Sequence, residues 1–287
     1  MRRAVSRSKT ALKDSAPLVV DFLTAGINPD GGFKGRDEKS DLYYTVFGLE
    51  ALIALGGSFP VERTADFLQK FIKHNDLDLI HLAALIRCYA NLLNNGLEKG
   101  MRGRFIKNIE QFRCKDGGYA NKTSLDSGTV YGCFFALAAY QDLQLDMPNY
   151  SKVIECIQSL STPEGAFTNN KKIQTGSTNA TAAAMMVLHH LHQPVDKKTA
   201  DWLFTQCTSS GGFRAMPAAP IPDLLSTATA LHALVITGFE IDTVKDRCLD
   251  FIDGLWCAKG GFYGNWTETI LDCEYTYYGL LALGNLR

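Results

Sequence analysis

Two short clusters carry the side chains best suited to handling charge and protons. The stretch 31–41, GGFKGRDEKSD, sets Arg36 and Lys39 three residues apart, just ahead of an apolar run that opens with Tyr43 and Tyr44. A guanidinium and an ammonium group beside a helix N-terminus can bind and stabilise an anion. In a solvated loop the same GRDEK charges would pair with one another. Near the other end, Asp272 and Glu274 flank Cys273. Buried carboxyls there would have raised pKa values and suit proton donation, while the simpler role of Asp272 is to cap a helix. His189, His190 and His192 resemble a metal cluster. They fall at the C-terminal end of a helical run, where histidine also suits the dipole, and read as packing or surface residues.

A repeated unit must position these clusters. Glycine pairs or a Gly-Ala followed by an aromatic recur, with first glycines at 31, 117, 165, 211 and 260. Each precedes a small, apolar, helix-like run. The long first gap spans about two periods, and the run 76–88 supplies the unit that lacks its glycines. Six units of about 47 residues account for the chain, a period typical of architectures whose units bury their faces against neighbours.

Each unit holds two kinds of helix. The first is amphipathic, expected at 11–23, 61–73, 104–112, 150–160, 200–207 and 244–256, with apolar residues three and four apart. The second is apolar nearly all round, expected at 41–55, 78–93, 126–140, 177–190, 223–237 and 272–283, and so should be buried. Sustained period-two alternation is absent, which leaves no strands. The inner runs carry aromatics (Tyr43, Tyr44, Tyr131, Phe134, Tyr275, Tyr277, Tyr278) where an open solenoid would be polar. The expected fold is therefore all-α: an α/α toroid of six helical hairpins in two concentric layers around a central apolar cavity. Asp41, Asp78, Asp126, Ser177, Asp223 and Asp272 stand where helix caps belong. The inner N-termini would gather at one rim, whose positive dipole over an apolar cavity suits an anionic head on a greasy tail.

Composition narrows the function class. Twenty-nine basic and 30 acidic residues leave a net charge of −1, which argues against a nucleic-acid surface. Eight cysteines without CxxC pairs fit reduced thiols in a cytoplasm. The N-terminus lacks an apolar signal region and no run nears 18 apolar residues, so neither secretion nor a membrane span is expected. We read a single domain over 1–287, with 1–8 a flexible basic tail.

The GGF-loop-Asp-helix signature resembles the protein prenyltransferase β-subunits and, more distantly, the terpenoid cyclases that share their α/α toroid. The likeness covers all six repeats, and GGFKGRDEKSD is close to the β-subunit loop GGxxGRxxKxxD. It implies that Arg36 and Lys39 grip an isoprenoid diphosphate, that Tyr44 or Tyr43 adds a hydrogen bond, and that an α-subunit-like helical partner or acceptor protein exists. It also implies zinc, held by Asp-x-Cys at the start of one inner helix and by His, three residues after an Asp, on the next. Here Asp223 is kept, but Leu225 stands for the cysteine and Tyr275 for the histidine. A reading shifted to the first repeat pairs Asp41 with His81 and puts Tyr43 at the cysteine position. Neither frame supplies a thiolate, so no metal site or cofactor is assigned.

The resulting expectation is a prenyltransferase-like subunit, with Asp41, Tyr44 and Asp272 as catalytic candidates. Arg36, Lys39, Tyr43, His81, Tyr131, Tyr275 and Tyr278 are the substrate-binding candidates. One alternative is a cyclase-like enzyme with Asp272 or Glu274 as acid, although the Asp-x-Asp-Asp tetrad of cyclases is absent. Another is a non-catalytic toroid that binds lipid or protein.

Overall fold

The computed structural model describes residues 1–72, 76–93 and 97–286. The apolar runs become α3 (Leu42–Leu55), α5 (Leu79–Leu92), α7 (Val130–Asp142), α9 (Thr178–His190), α11 (Leu224–Ile236) and α13 (Cys273–Asn285). Each touches the next in that order, and α13 returns to α3, so the six close into a ring. The amphipathic runs become α2 (Ala16–Ala25), α4 (Val61–Ile72), α6 (Lys99–Glu110), α8 (Tyr150–Gln158), α10 (Lys197–Gln206) and α12 (Asp242–Asp253), packed against the inner helices from outside. Lys73, the last residue expected in the second outer helix, lies outside the described residues. This is the α/α toroid, and apolar stripes meeting apolar helices are what hold its two layers together. Met185 and Leu231 of the inner layer are fully buried. Among the described residues no helix is long and apolar enough to cross a membrane.

The glycine-aromatic turns tie each layer to the next. Gly31 has φ +88°, and a Cβ there would lie 2.3 Å from the Arg63 backbone of α4. Gly260, the same position in the last repeat, has φ +94° and a Cβ clash of 2.1 Å with Leu18 O of α2. Only glycine permits that backbone conformation with so close an approach, and the second contact closes the outer ring. The aromatic that follows is buried in every case, at Phe33, Tyr119, Phe167, Phe213 and Phe262.

A second repeated contact was not visible in the spacing of hydrophobic residues. The amide of each turn aromatic donates to a side chain one turn inside the following inner helix: Phe33 to Thr45 Oγ1 at 2.9 Å, Phe167 to Thr181 at 2.9 Å and Phe213 to Thr227 at 2.8 Å. Phe262 uses Thr276 at 3.4 Å, and Tyr119 uses Cys133 Sγ at 3.4 Å. A buried amide needs an acceptor, and these side chains supply one.

Three sequence expectations need correction. The turns include short antiparallel pairings, the longest being β1 (Trp256–Cys257) with β2 (Gly261–Phe262); one or two paired residues are too few to show period-two alternation. Asp126 does not cap α7, because Thr129 does so through Gly132 N–H, while Asp126 pairs with Lys115 in solvent. Residues 1–8 are not a flexible tail but most of helix α1 (Arg2–Leu12), which lies against α13 and α3 with Ala4, Val5 and Ser8 buried. Small residues let it approach closely: a Cβ on Gly284 would fall 1.7 Å from Ala4 O.

Candidate functional site

The first and last repeats meet where the N-termini of α3 and α13 lie side by side. Asp41 caps α3 by accepting from Tyr44 N–H at 3.0 Å, and Asp272 caps α13 by accepting from Tyr275 N–H at 2.8 Å. These extended cap residues fix where the first turns begin and so where Tyr43, Tyr44, Glu274 and Tyr275 leave the backbone. Across this seam Arg36 Nε donates to Asp272 Oδ2 at 3.2 Å, and Nη2 lies 3.4 Å from Glu268 Oε2. The guanidinium stands 5.4 Å from the Tyr275 ring centroid, a cation–π arrangement. Tyr43 Oη donates to Glu274 Oε1 at 2.6 Å.

An aromatic stack continues inward from these polar groups. Tyr43 and Phe47 rings lie 5.0 Å apart, and Phe47 contacts Tyr277 and Tyr278, each at 5.4 Å. Cys273 Sγ donates to Tyr44 O at 3.2 Å, and burial holds that thiol well above its ordinary range.

The electrostatics separate the two carboxyls. Burial raises Asp272, opposed by the Tyr275 amide and by Arg36. Burial also raises Glu274, opposed by the Tyr43 hydrogen bond and increased by the Asp272 charge. Among the described residues Glu274 has no cation in hydrogen-bond contact, so it is the better proton carrier of the two. Burial tends to lower Arg36, but Asp272, Tyr44 and Glu268 outweigh it and keep the guanidinium charged. Tyr44 is pushed up to about 12, mainly by burial.

The candidates thus divide. Arg36, Tyr43, Tyr44, Asp272 and Tyr275 meet at the seam, with Tyr278 reached through Phe47. Lys39 does not join Arg36: its backbone accepts from Gly35 N–H at 2.7 Å and its side chain is exposed. His81 is bound to Asp78 of its own helix cap, Nδ1 to Oδ1 at 2.8 Å, rather than to Asp41. Tyr131 lies on α7, its amide held by Asn169 Oδ1 at 3.0 Å, and burial raises its hydroxyl. Glu268 escaped the sequence reading altogether. No local pattern marks it, since its partner Arg36 lies at the opposite end of the chain.

The rim amides are also largely spent internally, unlike the anion-binding dipole expected from the helix order. Cap side chains take the third amide of α3, α5, α7, α9, α11 and α13. The following repeat's loop takes the first amide of three: Val130 N–H donates to Asn169 O, Thr178 to Ala215 O and Leu224 to Gly264 O. Side chains, not free helix ends, carry the site's charge.

The donor set does not fit zinc. Asp223 caps α11 through Ser226 N–H at 2.8 Å and accepts from Ser226 Oγ at 2.7 Å. Leu225 packs on the core, and Tyr275 sits beneath Arg36. One carboxylate without thiolate or imidazole is not a zinc site, and no group of three His, Cys, Asp or Glu among the described residues could hold a metal ion.

The family model for the prenyltransferase alpha-alpha toroid domain matches residues 6–76, 61–196 and 180–286. No curated protein matches the chain. Among solved structures, protein geranylgeranyltransferase-I of Candida albicans, complexed with GGPP, superposes with a TM-score of 0.66 at 15% identity, covering 94% of this chain and 90% of that one. The type II terpene cyclase MstE from Scytonema gives 0.63 at 14% identity, covering 96% and 97%. An alpha-1,6-mannanase of Salegentibacter gives 0.65 at 12% identity, covering 95% and 98%. Likeness at these identities establishes the fold alone, since one ring serves unrelated chemistries.

Proposed function

Because the chain belongs to the prenyltransferase alpha-alpha toroid domain family, we propose that it binds an isoprenoid diphosphate at the α3–α13 seam and transfers the prenyl group. The observation that carries this reading is Arg36. It is held in place by two carboxylates through Nε and Nη2, and among the described residues no carboxylate is bonded to Nη1. Its guanidinium lies over the Tyr275 ring, at the seam where the Tyr43–Phe47–Tyr278 rings also meet. A diphosphate would take the remaining donors, displacing Glu268 more readily than the better buried Asp272. The prenyl tail would lie on the aromatic rings. As the diphosphate departs, Arg36 stabilises its charge and the ring faces stabilise the allylic cation. Tyr44, close to Arg36, would add a hydrogen bond. With Leu225 and Tyr275 standing where the resemblance would place cysteine and histidine, the proposed acceptor is one other than a protein cysteine. An α-subunit-like partner belongs to the same proposal and rests on family likeness.

Titration calorimetry with farnesyl and geranylgeranyl diphosphate tests it. Charge-assisted hydrogen bonds contribute about 1.5–3 kcal/mol, so Arg36→Ala should weaken binding by roughly tenfold or more. Lys171→Ala with Lys172→Ala, exposed basic residues of the fourth repeat, should leave binding unchanged. Wild-type protein that binds neither diphosphate overturns the proposal.

A second reading has one specific support. Glu274 is a half-buried carboxyl with a raised pKa, held by Tyr43, and would protonate a polyene in a cyclase-like reaction. Asp272, ion-paired with Arg36, is the wrong acid for that step. A cyclic product lost in Glu274→Gln would favour this reading, and a prenylated acceptor the first.

A further inference from the structure

Helix α1 lies across the end of the ring where the inner helices finish. Lys9 Nζ donates to the carbonyl of Leu55, the last residue of α3, at 3.3 Å. Arg2 Nη2 pairs with Glu50 Oε1 at 2.8 Å. Ala4, Val5, Ser8 and Leu12 are buried, so the helix is pinned by one side. The other side is exposed and presents Arg3, Ser6, Arg7 and Thr10, with Lys13 just beyond. Arg2, Arg3, Arg7, Lys9 and Lys13 all precede the first carboxylate of the chain, Asp14. Among the described residues Arg3, Arg7 and Lys13 form no ion pair. Helices α4, α8, α10 and α12 instead mix their cations with acids.

This arrangement is unfavourable for the helix by itself. Arg3 and Arg7 are a like-charge pair four residues apart, which repel. Arg2 and Arg3 stand in the first turn, where cations oppose the positive end of the helix dipole. Packing on the ring and the Arg2–Glu50 pair hold α1 in place against both effects.

We propose that the exposed face of α1 docks on an anionic phospholipid surface. Anionic headgroups would supply counter-charges to Arg3, Arg7 and Lys13 and relieve the repulsion and the dipole opposition together. Leu18, in the first turn of α2, is 44% exposed and would enter the headgroup boundary beside them. A bilayer, unlike a nucleic-acid backbone, has an apolar boundary to receive that side chain. The docking face is separate from the α3–α13 site. Arg36 bonds to the cap at the N-terminal end of α13, whereas α1 meets the C-terminal end of α3. A ring seated on α1 therefore keeps its candidate site turned away from the bilayer.

Flotation of the full-length protein with phosphatidylcholine vesicles, with and without phosphatidylserine, tests this. At low salt, binding is expected to the vesicles that contain phosphatidylserine and not to pure phosphatidylcholine. Added salt should release the protein, because it screens the attraction. Each basic residue at such a surface contributes about fivefold in affinity. Arg3→Gln with Arg7→Gln and Lys13→Gln should therefore weaken binding about a hundredfold. Glutamine is a good helix former, and circular dichroism should show unchanged helicity. Arg7→Gln alone, expected to lose about fivefold, serves if the triple variant does not keep its helix. Lys171→Ala with Lys172→Ala, exposed cations of the opposite rim, should bind as the wild type does. No binding to phosphatidylserine vesicles, wild-type binding by the α1 variants, or an equal loss in the Lys171 and Lys172 variant overturns the proposal. Capture by RNA or polyglutamate that the vesicles fail to displace overturns it too.

Discussion

Arg36 and Asp272, 236 positions apart in the chain, are joined by a 3.2 Å hydrogen bond that spans the seam of the ring. The same carboxyl caps α13 through Tyr275 N–H. One side chain therefore starts the last inner helix, holds the first repeat against it and positions the guanidinium of the candidate site. Asp272→Asn keeps a capping oxygen while removing the charge. Because Arg36 is partly exposed and screened, the expected loss is about 1–2 kcal/mol, read as a lower urea midpoint at unchanged slope. An unchanged midpoint would show that the pair contributes nothing to ring closure.

Glu268 lies 3.4 Å from Arg36 Nη2, so under the proposed function it would compete with the diphosphate for that guanidinium. Glu268→Gln should therefore raise diphosphate affinity by roughly three- to tenfold, the equivalent of about 1 kcal/mol for a partly exposed pair. Calorimetric titration beside the wild type checks the sign. Weaker binding would mean that Glu268 positions Arg36 rather than competing for it.

The buried amide-to-threonine bonds should cost measurable stability when broken. Thr181→Val keeps the shape but leaves the Phe167 amide without its 2.9 Å acceptor. A loss of about 1–3 kcal/mol is expected, with most of it restored in Thr181→Ser. Denaturant melts of the two variants separate the hydrogen bond from the packing.

Helix α1 is held by a close approach that tolerates no side chain at Gly284. Gly284→Ala places a Cβ 1.7 Å from Ala4 O, so α1 should detach while the ring persists. Hydrogen exchange should then rise by at least about tenfold across residues 2–12, with α7 and α9 unchanged. Protection retained in α1 would mean that the backbone shifts to accept the methyl group.

His232 gives the fold a defined acid response. It is buried on α11, Nδ1 lies 3.3 Å from Asn285 Oδ1, and Nε2 has no hydrogen-bond partner among the described residues. Burial pushes its pKa from 6.5 down to about 3. The unfolded chain therefore binds the proton first, and stability falls as pH drops from about 6.5 toward 3. At pH 5 this amounts to about 2 kcal/mol. His232→Gln should show a smaller difference between urea midpoints at pH 7 and pH 5 than the wild type. Asp142, Asp223, Asp272 and Glu274 have raised values and act in the opposite sense, so the comparison with the wild type isolates the histidine.

The repeat, the two helix types and most caps were legible in the amino-acid order, because each depends on residues within one or two helical turns. Gly31, Asp41 and the run from Leu42 to Leu55 state a turn, a cap and a buried helix without help from the rest of the chain. Ring closure was legible too, from aromatics such as Tyr43 and Tyr278 on helices that an open stack would leave wet. The composition of the site was not. Lys39 has the right type and spacing but faces solvent, because the loop's own hydrogen bonds turn its side chain outward. Arg36 acquired Glu268 as a partner, and Tyr43 acquired Glu274, only when the last repeat came round to meet the first. Residues 1–8 carry enough charge to read as a tail, yet Ala4, Val5 and Ser8 find a groove at Gly284 that no local pattern announces. Short-range geometry is encoded by neighbours in sequence; a site at the seam of a ring depends on contacts whose partners are set by how many repeats precede closure.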